Sequence, residues 1–216
     1  MLITSVKNAI IYEILTEKDY EGTVLCAAST FVAGEPMVTV LDIAKKDFLY
    51  FSEIFVRKAI ADGLSVIAKD AVTGQVVGCM ISEDFVTDPP QGIELVAPSL
   101  GPIFHMLGTL DERYKEHHSV KQGEIYHQFM LGVLSTYAGK GIGHRLTIES
   151  ERLAKAKRYK AIMCEVTGPV SQHIFLNQLG YKEVDAIAYH DFVYEGQHIF
   201  KHITACESCK LIYKAI

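Results

Sequence analysis

The sequence predicts a mixed α/β domain in which helices cover both faces of a central sheet. Three observations predict it. Helical patterns dominate up to Ala61, a strand pair joined by a polar turn follows, and strand and helix then alternate from Ile125 to Gly180. That order, with a βαβ unit late in the chain, calls for a sheet mixing antiparallel and parallel neighbours.

Each element has its own signal. Ile10 to Leu15 reads as a first strand, and Thr16-Glu17-Lys18-Asp19 signals a helix start. Asp19 to Ala33 is expected to be one helix or two short ones, ending at Gly34. Thr39 to Ala61 is predicted as one longer amphipathic helix, with Phe48, Phe51, Phe55 and Ile60 on its apolar stripe and Gly63 closing it. Two strands flank the Asp70-to-Gly74 turn, and Asp88-Pro89-Pro90-Gln91-Gly92 breaks the pattern as a loop. Pro98 to His118 reads as helix, apolar early and charged late. Ile125 to Val133 is a buried-type strand, His144 to Lys157 a helix, Lys160 to Val166 a second buried strand, and a last hairpin turns at Glu195-Gly196.

Composition sets the bounds. A chain of 216 residues, 49% of them hydrophobic, can bury one real core, so residues 1–216 are expected to form one domain. A net charge of −5 without a basic stripe argues against a nucleic-acid partner and suits a cationic substrate. No apolar run approaches the roughly 18 residues of a membrane span. The start of the chain lacks the pattern of a secretory signal, and five irregularly spaced cysteines fit a reducing compartment, so a cytoplasmic location is expected. Cys26, Cys79 and Cys164 sit in apolar runs and read as core. His198, His202, Cys206 and Cys209 have zinc-ligand chemistry, but their spacing fits no common finger. The two histidines fall in a strand-like pattern, the cysteines read as exposed tail residues, and no metal is expected.

The most telling run is VLSTYAGKGIG, from Val133 to Gly143. A strand passes into a turn with Gly139, Gly141 and Gly143, then into a helix. Such a turn lets bare backbone N–H groups approach an anion at the helix's positive end. It is not a Walker loop, because no Lys-Ser/Thr follows, and it is not the G-x-G-x-x-G of a dinucleotide site. It resembles the acyl-CoA-binding signature Q/R-x-x-G-x-G/A of the GCN5-related N-acetyltransferase (GNAT) superfamily, aligned on Ala138-Gly139-Lys140-Gly141-Ile142-Gly143. Ala138 stands at the Gln/Arg position. The stretch TGPVSQHIFLNQLGY resembles the helix that flanks the pantetheine arm, with Gly180 and Tyr181 at its closing Gly-Phe pair. Ser171 falls on its Asn position, and Leu176 on a Tyr position often used as general acid. Phe31 to Met37 resembles the F-x-x-x-E-P-[LM] segment of the arylalkylamine N-acetyltransferase-like group. The likeness covers most of the chain, and Asp84 to Val120 is its least constrained segment.

The resemblance implies the GNAT fold, acetyl-CoA as cosubstrate, and acetyl transfer to a small primary amine, with arylalkylamines as the class the likeness suggests, by direct transfer in a ternary complex. It further implies a bulge and carbonyl-binding donors at Leu131, Gly132 and Val133, with the cofactor also held by Ala138, Gly139, Lys140, Gly141, Ile142, Gly143 and Ser171. A strand glycine such as Gly132 often marks a bulge or close approach. Glu35 is expected as general base, with His127 second and Glu124 and Tyr126 as lesser candidates. Thr167 and Ser171 match two hydroxyl positions, for capping or proton relay. The alternatives are a catalytically idle acyl-CoA-binding or sensor domain, and a relative acting on a polyamine or amino acid. A monomer or homodimer fits equally.

Overall fold

The computed structural model describes residues 9–216. A seven-stranded sheet has the order β1-β2-β3-β4-β5-β7-β6. The strands are β1 (Ile10–Ile14), β2 (Val66–Asp70), β3 (Val76–Asp84), β4 (Ile125–Val133), β5 (Ala161–Val166), β6 (Lys182–Ala188) and β7 (Ser208–Ala215). Neighbours are antiparallel except for β4 and β5. That parallel pair is the βαβ unit expected from the alternation, with α5 (Ile142–Ala156) as its crossover.

Two cores lie on the two faces of the sheet. Alternate residues serve them: Ile67, Cys79, Ile81 and Met163 join one, and Val66, Ala68, Met80 and Ile162 the other. The first core is covered by α1 (Tyr20–Gly34), α2 (Pro36–Val40), α3 (Lys45–Asp62) and α4 (Gly101–His117), and holds the Phe48, Phe51 and Phe55 stripe. The second is covered by α5 and by α6 (Pro169–Gln172), which continues as a π-type turn over His173–Gln178.

Five expectations change. The single helix over Thr39–Ala61 is two, because Glu35-Pro36 starts α2 and Asp42, at φ 50°, ends it. A short polar side chain tolerates that left-handed turn. The turn at Glu195-Gly196 exists, bridged by Tyr194 and Gln197, but it lies within the connection between β6 and β7. His198 and His202 are in that connection and not in a strand. Phe192 and Phe200, stacked at 5.3 Å, bind it to the core. Cys209 is fully buried on β7 and Cys206 is half-buried, so neither is an exposed tail residue. Finally, β4 bulges at Phe129, where the register against β3 slips between Ile81 and Ser82, whereas Leu131, Gly132 and Val133 pair regularly with Met80, Cys79 and Gly78. Gly132 answers to a different need. A Cβ there would fall 2.5 Å from Thr30 Oγ1 on α1, so the glycine admits a closely packed helix.

Candidate active site

β4 and β5 hold together over three pairs only, Ile125–Ala161, Tyr126–Ile162 and His127–Met163. Beyond them β5 stays with β7 and β4 with β3, so the sheet parts. A cavity of about 740 Å³ lies at this parting. Leu131, Gly132 and Val133 line it. The Leu134 N–H bonds the Val77 carbonyl on β3, so strand alternation turns the main-chain groups of Leu131 and Val133 toward the gap.

The glycine turn forms the next wall. Gly139 and Gly141 both sit at φ 73°, and a Cβ on either would meet nothing within 4 Å. These glycines are there for backbone shape. Gly141 is the N-cap of α5 and no side chain caps that helix, so its first N–H groups lack partners within it. Unmet donors at the positive end of a fifteen-residue helix suit an anion such as a pyrophosphate. Ala138, Gly139, Gly141, Ile142 and Gly143 line the cavity, whereas Lys140 lies outside its lining with Nζ 4.4 Å over the Tyr137 ring. Tyr137 in turn donates to Asp70 Oδ2 at 2.8 Å, which ties the turn to the end of β2.

Glu35 stands at the joint of α1 and α2. Its Oε2 accepts the Val38 N–H at 2.6 Å, an N-cap bond. Its Oε1 is buried without a partner and the residue lines the cavity. Burial pushes its pKa above the usual carboxylate range, and the Val38 N–H bond and the nearby Thr167 hydroxyl offset this only in part. A carboxylate so placed is a suitable acceptor for a proton from an ammonium.

Thr167 and Ser171 line the same cavity. Gly168, not Thr167, is the N-cap of α6, and Ser171 Oγ donates to the Gly168 carbonyl at 3.0 Å. The Thr167 carbonyl accepts from Tyr189 Oη at 2.6 Å and from Cys206 Sγ at 3.3 Å. The site is thus braced by the connection before β7.

His127 is not in the cavity lining. It is buried with Nε2 2.7 Å from Glu165 Oε2 and Nδ1 3.5 Å from Glu83 Oε1. Burial disfavours the imidazolium, but the charge and hydrogen bond of Glu165, with Glu83 and Asp111, outweigh it and lift the pKa well above the usual histidine range. The ring is held as a cation, the wrong form for a base. Glu124 pairs with Lys160 at 2.7 Å on the surface, and Tyr126 is buried against Leu64 and Ser150. Sequence reasoning missed Glu165, a cavity residue whose side chain is 3% exposed. The available signal was a carboxylate inside the apolar run Ala161 to Val166, since unpaired charges are rarely buried.

Among the described residues no group of three or more His, Cys, Asp or Glu side chains converges as a metal site, and no helix is long and apolar enough to cross a membrane. No family model matches the sequence and no curated protein matches it. Solved structures do. Arylalkylamine N-acetyltransferase 2 from Aedes aegypti superposes with a TM-score of 0.80 at 24% identity, over 97% of this chain and 100% of that one. The polyamine N-acetyltransferase of Drosophila melanogaster, which forms N-acetylagmatine, gives 0.78 at 16% over 96% and 100%. The C-terminal condensation domain of Ebony, solved with β-alanyl-dopamine, gives 0.79 at 16% over 97% and 100%. The chain has the fold of the GNAT N-acetyltransferases, in the form taken by the arylalkylamine N-acetyltransferase-like proteins.

Proposed function

We propose that this protein is an acetyl-CoA-dependent N-acetyltransferase for a small primary amine, acting as one catalytic domain. The observation that carries the reading is the joining, in one cavity, of the parted strands, the uncapped start of α5 and the buried Oε1 of Glu35. The two solved N-acetyltransferases of the same fold act on arylalkylamines and polyamines, which supports the amine class.

In this reading the main-chain donors of Gly139 to Gly143 hold the pyrophosphate of acetyl-CoA, and the pantetheine arm runs along the Leu131-to-Val133 edge. Glu35 takes a proton from the substrate ammonium. The freed amine attacks the thioester carbonyl, forming the C–N bond as charge moves onto the carbonyl oxygen. A β4 N–H facing the gap stabilises that charge. Collapse breaks the C–S bond, and the second proton of the attacking nitrogen passes through Ser171 to the departing thiolate, in place of the tyrosine that Leu176 replaces, leaving the amide and the CoA thiol. The Val38 N–H fixes the Glu35 carboxyl, and the nearby Thr167 hydroxyl favours its ionised form. His127 serves as a buried structural cation.

The test is thiol release from acetyl-CoA across a panel of arylalkylamines, polyamines and amino acids, with CoA binding measured separately. Turnover that weakens with Glu35→Gln, and CoA binding that weakens with Gly141→Val, are expected. Tight CoA binding without turnover on any amine overturns the enzyme reading in favour of an acyl-CoA sensor.

A further inference from the structure

The cavity has a second buried carboxylate that the reaction above does not use. Glu165 gives Oε2 to His127 at 2.7 Å, while its Oε1 is buried without a partner. Asp111, from α4, reaches the same carboxyl, and its own Oδ1 is also buried and unpartnered. Two ionised carboxylates cannot face each other in this way, so the pair holds a proton on Asp111. Burial first, and the charge of Glu165 second, raise Asp111 to about 8.

The surrounding charges show why that proton is exchangeable for another cation. Glu83, Glu165 and Asp111 are three carboxylates. Facing them are two cations, Lys58, 3.2 Å from Glu83 but also paired with Asp62, and His127, shared between Glu83 and Glu165. Lys115 is exposed, with its ammonium 4.3 Å over the Phe85 ring. At least one carboxylate is therefore in excess, at the wall of an apolar cavity lined by Phe51, Phe104 and Phe129.

The position of Glu165 relative to Glu35 is also defined. Thr167, whose hydroxyl lies close enough to Glu35 to favour its ionised form, follows Glu165 by two residues just past the end of β5, and both line the same cavity. At about 3.3 Å per residue, they start roughly 6–7 Å apart.

We propose that Glu165, backed by Asp111, is a second cation subsite of this cavity, selecting amines that carry a distal ammonium or guanidinium two strand positions from the nitrogen that is acetylated. The distal cation takes the place of the shared proton, and Glu35 handles the reacting nitrogen. This rests on the amine-acetylating reading, so its test includes a measurement that needs no turnover.

The experiment compares 1,4-diaminobutane with butylamine, in steady-state acetylation and in equilibrium binding with CoA present. A charge-assisted bond predicts about a tenfold or greater preference for the diamine, in kcat/KM and in Kd. Glu165→Gln should collapse both ratios toward one. Should Glu165→Gln not fold, Asp111→Asn supplies the same test, because its amide donates permanently to Oε1 and blocks the exchange. Equal kcat/KM and Kd for the two amines, or a preference that survives the substitutions, overturns the subsite. If no amine of the wider panel is acetylated, the proposed function fails, while a diamine Kd that weakens about tenfold in the variant still supports the subsite.

Discussion

His127 Nε2 lies 2.7 Å from Glu165 Oε2, and its other ring nitrogen faces Glu83 at 3.5 Å, so both nitrogens of one buried ring point at carboxylates. Only the doubly protonated ring donates to both. His127→Gln leaves Glu165 with an unpaired buried charge, and a loss of about 3–5 kcal/mol in urea unfolding is expected. The pH dependence has a definite sign. The folded pKa lies well above the unfolded value of about 6.5, so the stabilisation is complete below about 6.5 and fades as pH rises through the folded pKa. The variant should lack that part of the alkaline decline.

Asp111, on α4, also loses stabilisation as pH rises, over a lower window. Its folded pKa of about 8 exceeds an unfolded value of about 3.9. Below about 3.9 both states hold the proton. From there up to about 8 the native state keeps a proton that the unfolded chain has released, so stability falls with rising pH. Asp111→Asn keeps a donor against Glu165 and does not titrate. It should match the wild type in acid and exceed it near pH 8, as read from urea midpoints at both pH values.

These two residues mark where the sequence was legible and where it was not. The strand-turn-helix around Gly139 and Gly141 could be read because local backbone needs dictate local residue types, and the structure puts both glycines at positive φ. The mixed sheet with its parallel β4–β5 pair followed from the late alternation of strand and helix. Asp111 could not be read, because its meaning depends on Glu165, which is distant in sequence and meets it only through the packing of α4 on the sheet. His127 invited the opposite error: a strand histidine near a cofactor loop looks like a base until its two carboxylate partners are in place. The bulge was assigned to Gly132 when it lies at Phe129, since a glycine records close approach without naming the neighbour, here Thr30.

That neighbour makes a prediction of its own. Thr30 Oγ1 donates to the carbonyls of Cys26 and Ala27, which fixes its rotamer against Gly132. Gly132→Ala forces a 2.5 Å contact with an atom that is not free to move, and an overpacking loss of about 1–3 kcal/mol is expected. Thr30→Ala removes the obstacle. The double variant should regain most of the loss, giving a clear coupling energy in a double-mutant cycle by urea denaturation. Additive effects would show that the helix has moved instead.

Glu35 carries two duties that substitutions can separate. As N-cap it accepts the Val38 N–H, and as a cavity carboxylate it offers the unpartnered Oε1. Glu35→Gln keeps an amide oxygen for the cap and cannot accept the proton. Its stability should stay within about 0.5 kcal/mol of the wild type, while kcat/KM falls about 10²- to 10⁴-fold. Glu35→Ala loses both duties and should cost about 1 kcal/mol of stability besides. In the wild type, activity should rise with pH through a point above the usual carboxylate range, because burial raises Glu35 and only its ionised form is a base. The check is kcat/KM against pH beside thermal unfolding of all three proteins. A Gln variant that keeps full activity would assign Glu35 to the cap alone, and the proton would then have to leave by another acceptor.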